Sequence, residues 1–255
     1  MQFYFSNTNR IIPMIMYKNL TTSRYVYLWG IVMLLVLGCK KNDYYKDSGT
    51  TDPNFNGTVL DYLHSRPGQF DSISKIVKLA GMEDVFKTKS ITFFASSDSS
   101  INSTMKIVNN QLSNFGMQPI VALAQVDASV WRKYLSLYLF AGAKSLNDYP
   151  QIDWSNFSAF SGQNYPSYDG YPMNIGVLYN DAGGIQYAGY RQLQLSYIGS
   201  QTSPKDIISW QTVPVVSANM HPSNGYVHAI GNTSVTFGFN YLLLAQDAIN
   251  AGIKY

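Results

Sequence analysis

Apolar and polar positions follow three successive patterns along the chain. Residues 25–37, YVYLWGIVMLLVL, are an unbroken apolar run of 13 residues, and residues 40–56, KKNDYYKDSGTTDPNFN, are polar and without period. From Thr58 onward apolar residues recur first at helical and then at strand spacing. Val59, Leu60, Tyr62 and Leu63 form a short helical stripe that stops before Pro67-Gly68. Phe70, Ile73, Ile76, Val77 and Ala80 recur at steps of three and four, with Gly81 placed as a C-cap, and predict a second helix. Residues 90–95, SITFFA, predict a core strand with Phe93 and Phe94 on opposite faces, both buried. Asp98 or a neighbouring serine is placed to cap the helix that follows through Met105, Ile107 and Leu112. Asp127 is placed to cap another, with Trp131, Leu135 and Tyr138 on one face. Beyond Lys144 the chain reads as strands and loops. Residues 173–179, 192–198, 213–217 and 226–230 are the strand candidates, and residues 240–255 read as a closing helix. Asn224-Gly225 predicts a tight turn, because both residue types tolerate positive φ. Helices first and strands afterwards make an α+β fold.

The apolar run follows a short polar segment holding Lys18 and Arg24, which is the order of an export signal. Its 13 residues fall short of the roughly 20 that a spanning helix needs. A start at Met16 would give that signal an ordinary length and leave residues 1–15 untranslated. Cys39 is the only cysteine in 255 residues. One reading of it is a buried free thiol acting as a small hydrophobe. Its surroundings, with Val36, Leu37 and small Gly38 before it and a polar stretch after it, resemble the lipobox of bacterial lipoproteins. That resemblance implies cleavage ahead of Cys39 and diacylation of the new first residue. It also implies a bacterial cell-envelope location, lipid-anchored at the outer membrane; the alternative is a secreted product without lipid. Residues 1–38 are then a signal peptide and residues 39–56 a lipidated tether, held to a membrane by acyl chains and not by a spanning helix.

The division at Cys39 changes the charge picture. Discarding residues 1–38 removes Arg10, Lys18 and Arg24 and no acid, which leaves 15 of the 18 basic residues against 15 acidic ones. The basicity of the whole chain therefore supplies no case for a nucleic-acid partner. With Cys39 given to lipid, no disulfide is expected. About 200 residues remain for folding, enough for one sizeable core or two small ones.

Three segments in order carry a family resemblance. They are GTVLDYLHSRPGQFDSISKIVKLAGMEDVF at 57–86, ITFFASSDSSI at 91–101 and VPVVSANMHPSNGYVHAI at 213–230. Together they resemble a fasciclin domain spanning residues 57–239, in which an opening helix pair leads to a strand of the type TVFAPTD and a late segment of the type NGxVHxID closes the sheet. Thr92, Phe94, Ala95, Asp98, Asn224, Gly225, Val227 and His228 stand at the matching positions. The family's usual Tyr-His pair is represented by Leu137-Tyr138-Leu139-Phe140, which keeps Tyr138 as a core aromatic and lacks the histidine. The adhesive role attributed to that pair, notably integrin binding, therefore carries over poorly. Ser96 replaces a usual proline, and the Tyr-rich segment at about 145–212 is longer than the family minimum. The resemblance implies a single α+β fasciclin-like domain, its N-terminal helices packed on a β-sheet wedge or sandwich, that binds or adheres and is not an enzyme. His228 reads as a hydrogen-bonded structural histidine.

Catalytic constellations are sparse. The chain has no His-Glu-x-x-His, no Gly-x-Ser-x-Gly and no phosphate-binding Gly-x-x-x-x-Gly-Lys. Its three histidines, His64, His221 and His228, offer a metal site only if His221 and His228 meet across the predicted turn, and no metal or cofactor is expected. Glu83 is the single glutamate, so a paired-carboxylate site would need Asp148, Asp153, Asp169 or Asp181. Aromatic content stands out instead, with eleven rings from Tyr149 to Tyr197 among Asn, Ser, Gln and Gly. Trp154, Phe157, Phe160, Tyr165, Tyr168 and Tyr171 lie in loop-like sequence without clean alternation and are the candidate ligand-binding residues. Flat rings flanked by amides and hydroxyls suit sugar rings and protein interfaces alike. The lipobox, tether and opening helix also resemble lipoproteins beside outer-membrane glycan-uptake machinery. The reading is therefore a non-enzymatic envelope lipoprotein that binds a glycan or a protein partner of such a complex. A self-associating structural protein and a hydrolase using the aspartates at 145–212 are the alternatives.

Overall fold

The computed structural model describes residues 52–199, 207–231 and 237–255. Cys39, the expected signal peptide and residues 40–51 of the expected tether lie outside the described residues. The last residues of that tether, Asn54–Phe55, form the first strand, β1. Three short helices follow: α1 (Val59–His64), α2 (Asp71–Leu79) and α3 (Glu83–Thr88). Strand β2 (Ile91–Ala95) leads to α4 (Asp98–Asn114), α5 (Ala128–Ser136) and β3 (Leu139–Ala141). The Tyr-rich segment supplies β4 (Gln151–Ile152), β5 (Gln163–Pro166), β6 (Pro172–Tyr179), β7 (Arg191–Tyr197) and the start of β8 (Gln211–Pro222). Strand β9 (Gly225–Ile230) and α6 (Tyr241–Ala251) close the fold. Among the described residues no helix is long and apolar enough to cross a membrane.

Local chemistry explains most of the boundaries. Thr58 Oγ1 accepts from the Asp61 amide at 3.2 Å while the Asp61 carboxylate accepts from the Thr58 amide at 2.9 Å, a capping box that starts α1. The same hydrogen bonds hold the Asp61 carboxyl below its ordinary range. Helix α2 ends where Gly81 takes φ +66, which lets the Met82 amide reach back to the Val77 carbonyl at 3.0 Å. Helix α4 starts at Ser97, whose hydroxyl accepts from the Ser100 amide. The neighbouring serine thus takes the cap for which Asp98 was the other candidate, and Asp98 caps α2: its carboxylate accepts from the Ser72 amide at 2.6 Å and the Asp71 amide at 3.2 Å. Phe70 at the N-cap of α2 has no side chain able to do this, so the cap comes from the neighbouring helix.

The strands form one continuous hydrogen-bonded path, β3-β2-β9-β8-β7-β6-β4, with β1 on β8 and β5 on β6. The expected wedge or sandwich is thus met as an α+β arrangement whose strands are linked throughout, not as two separate sheets. Strand β8 makes the link: its first residues pair with β7 and its later residues with β9, across register shifts between Val215 and Met220. Strand β2 runs parallel to β9 and antiparallel to β3, and all five of its residues are buried. Phe93 meets Phe86 edge-on, and Phe94 meets Phe140 and His228.

Two sequence expectations change. The expected tight turn is present, at Ser223-Asn224 between β8 and β9, but not for the expected reason, since neither Asn224 nor Gly225 has φ above zero. Gly225 is required because a Cβ there would overlap the Ile91 carbonyl oxygen on the parallel neighbour strand. The Asn224 side chain accepts from the Val59 amide at 2.7 Å and donates to the Phe86 and Lys89 carbonyls, tying α1, α3 and β9 together. Tyr138 does not share a helix face with Trp131 and Leu135, because α5 stops at Ser136. It lies stacked on Phe237 and Phe239, at 5.3 and 5.0 Å, and its hydroxyl accepts from the Gly238 amide at 2.9 Å.

Candidate functional site

Two of the motif residues, Thr92 and His228, act directly on one short loop, residues 142–149, between β3 and β4. The Thr92 hydroxyl, fully buried on β2, donates to the Gly142 carbonyl at 2.7 Å and accepts from the Lys144 amide at 2.8 Å. His228, fully buried on β9, binds the Lys144 carbonyl through Nε2 at 3.0 Å. Its Nδ1 accepts from the Asn219 amide at 3.2 Å, so these partners require a neutral ring with the proton on Nε2. Burial outweighs the Lys144 carbonyl and pulls the His228 pKa down to about 4. Gly225 and Val227 extend the same β9 ladder against β2, and that ladder places His228 beside Phe94. Asn219, with φ +66, turns its side-chain oxygen to the Leu146 amide at 2.7 Å. Asp148 completes the loop by accepting from the Ser145 amide and hydroxyl, both at 2.7 Å, which holds its carboxyl below the ordinary range.

That clamped loop forms one wall of a cleft of about 230 Å³. Phe140, Ala141 and Ile175 line it from the sheet, Lys144 and Tyr149 from the loop, and Tyr165, Pro166, Ser167 and Tyr168 from the end of β5 and the turn after it. Tyr149 and Tyr165 meet edge-on at 5.5 Å. The Lys144 ammonium lies 5.8 Å from one ring centre and 5.5 Å from the other, within cation–π range. Burial pushes the hydroxyls of both tyrosines up in pKa, so both remain donors at neutral pH. The turn that carries Tyr168 is fixed by its amide bond to the Leu139 carbonyl at 2.7 Å and by the Ser167 amide bond to Tyr171 at 2.8 Å. The cleft therefore offers ring surface and one ammonium on rigid backbone, while the Tyr149 hydroxyl is buried and the Tyr165 hydroxyl donates to Gln163 at 3.2 Å.

All six candidate rings are half-buried, so they neither fill the core nor stand free. They are not one surface. Tyr165 and Tyr168 line the cleft. Trp154 and Phe157 stack at 5.9 Å and both meet Trp210 edge-on, with the Trp154 indole donating to Gln194 at 2.8 Å. Phe160 packs on Tyr187, whose hydroxyl donates to Asp153. Tyr171 sits in a small recess with Lys133, Tyr134 and Tyr197. Sequence reasoning missed Lys144, Tyr149 and Trp210 as site residues. A lone lysine gives no signal, and Trp210 lies outside the ring-rich stretch.

The four candidate aspartates are each engaged by neighbouring groups, and Asp153 and Asp181 share Tyr187. Asp148 binds Ser145, and Asp169 forms a bidentate pair with Arg132 at 2.9 and 3.0 Å. Asp181 accepts from the Tyr187 amide. Asp153 accepts from Ser155 and Tyr187, whose hydroxyls hold its carboxyl down to about 2. His221 stacks on Tyr226 at 4.4 Å and binds Asn54, apart from the His228 hydrogen bonds. Among the described residues no group of three His, Cys, Asp or Glu side chains is placed to hold a metal.

No family model and no curated protein matches the chain. Solved structures that resemble it include a FAS1 domain pair from the insect cell adhesion molecule Fasciclin I, at 16% identity and a TM-score of 0.43. The match covers 68% of this chain and 49% of that one, so the chain spans about half the length of that structure.

Proposed function

We propose that this chain is a lipid-anchored bacterial envelope protein whose folded part binds a glycan at the Tyr149–Tyr165–Tyr168 cleft and performs no chemistry. The observation that carries the reading is the cleft itself: aromatic walls beside an ammonium, on a loop clamped by Thr92 and His228. Ligand sites combine apolar lining with a few fixed polar groups, and a clamped loop loses little entropy when a ligand docks. The fasciclin-like motif residues support a binding role, and the lipobox around Cys39 supports an envelope location.

Glycan-array binding of the purified full chain tests this reading. Tyr165→Ala and Tyr168→Ala are expected to weaken binding at least tenfold, and Trp154→Ala with Phe157→Ala reports whether the second ring cluster adds affinity. Absence of sugar binding by the unaltered chain, or binding indifferent to Tyr165 and Tyr168, removes the assignment. In the same preparation Cys39→Ser should shift the protein out of membrane fractions, and continued retention there would reject the anchor.

A further inference from the structure

The cleft contains a charge that its neighbours leave unanswered. Among the described residues Lys144 makes no ion pair, and it is the one cation among the residues that line the cleft. The acid closest in sequence, Asp148, accepts from the Ser145 amide and hydroxyl; Lys144 contributes to its lowered pKa but is not bonded to it. Both structural hydrogen bonds of Lys144 use its backbone, so beyond its field at Asp148 the side chain meets only the faces of Tyr149 and Tyr165. An ammonium partly shielded by aromatic walls attracts an anion more strongly than one in open water. At about 230 Å³ the cleft lies below the roughly 300–1,000 Å³ of sites for larger small molecules, and it fits one ring.

We propose that the cleft reads an acidic sugar: the apolar face of a single hexuronate ring lies on Tyr165 and Tyr168, and its carboxylate meets the Lys144 ammonium. This rests on the glycan reading above and adds the substrate class. A neutral hexose would leave Lys144 as it is in the free protein. A hexuronate gains a charge-assisted contact that a methyl-esterified hexuronate of the same shape does not.

Titration of the purified full chain with an oligogalacturonide and with its methyl ester tests the proposal. The acid form is expected to bind at least tenfold more tightly than the ester, and more weakly as NaCl rises. Lys144→Gln should abolish the preference, bringing acid and ester to within about twofold of each other. Lys144→Arg should retain most of the preference. Equal affinity for acid and ester, or a preference unchanged in Lys144→Gln, overturns the acidic-sugar assignment while leaving glycan binding standing. Binding of neither these sugars nor any on the array overturns both. Equally tight, Lys144-dependent binding of a poly-glutamate peptide overturns the sugar and makes the ligand an acidic peptide.

Discussion

His228 spends both ring nitrogens on backbone, holding Asn219 on one side and Lys144 on the other, and it can do so only while neutral. Its pKa of about 4 in the fold, against an ordinary 6.5, fixes the sign of a pH dependence. Above pH 6.5 the ring is neutral folded and unfolded, and its contribution to stability is complete. As pH falls below 6.5 the unfolded chain takes up a proton that the folded chain refuses, so stability declines until about pH 4, by roughly 3 kcal/mol in all. The carboxylates held low, Asp61, Asp148 and Asp153 among them, lose their contribution mainly below about pH 5. The interval from pH 6.5 to 5 therefore isolates the histidine. Urea midpoints measured across that interval should fall for the unaltered chain and stay level for His228→Gln. A level profile in the unaltered chain would mean that the ring is not held neutral.

Helix α2 depends on a residue outside it. Asp98 lies in the first turn of α4 yet supplies the acceptors for the Asp71 and Ser72 amides, so one carboxylate docks two helices. Asp98→Ala should cost about 1–2 kcal/mol and Ser97→Ala about 1 kcal/mol in urea unfolding, and Asp98→Asn should recover part of the loss by keeping an acceptor. If Asp98→Ala is neutral, the cross-helix cap contributes nothing. Elements of this kind mark the limit of what the sequence discloses. Helical and strand periods located α1, α2, α4, α5, β2, β6 and β7, because each period reports burial on one face of a regular element. Strand β1 and helix α3 were not foreseen, having two and six residues and too little length to show a period. Asp98 and Asn224 were recognised as residue types suited to capping and turning. Their actual partners stand 26–27 residues away for Asp98 and 135–165 away for Asn224, distances that no local pattern encodes. The cleft was half visible for the same reason: Tyr165 and Tyr168 belong to a conspicuous aromatic stretch, whereas Lys144 becomes a site residue only through Thr92 and His228.

At the scale of the molecule, β8 joins the helix-rich part and the Tyr-rich part through one backbone, and a single cluster of buried side chains runs from Val59 through Phe93 and Ile175 to Ala248. A continuous core gives no place for one part to unfold while the other persists. Unfolding followed by far-UV circular dichroism, dominated by the helices, should coincide with unfolding followed by the fluorescence of Trp154 and Trp210, read in a Trp29→Phe, Trp131→Phe background because Trp131 lies on α5. Ile175 tests the coupling directly. It is fully buried on β6, where it also lines the cleft, and truncation to alanine should cost about 2–5 kcal/mol. If the core is continuous, Ile175→Ala lowers the midpoint seen by both probes equally, although β6 pairs with the strands β4, β5 and β7 of the Tyr-rich part. Two separated transitions, with only the fluorescence shifted, would show the Tyr-rich part folding by itself and would make its cleft a module independent of the Thr92 and His228 clamps.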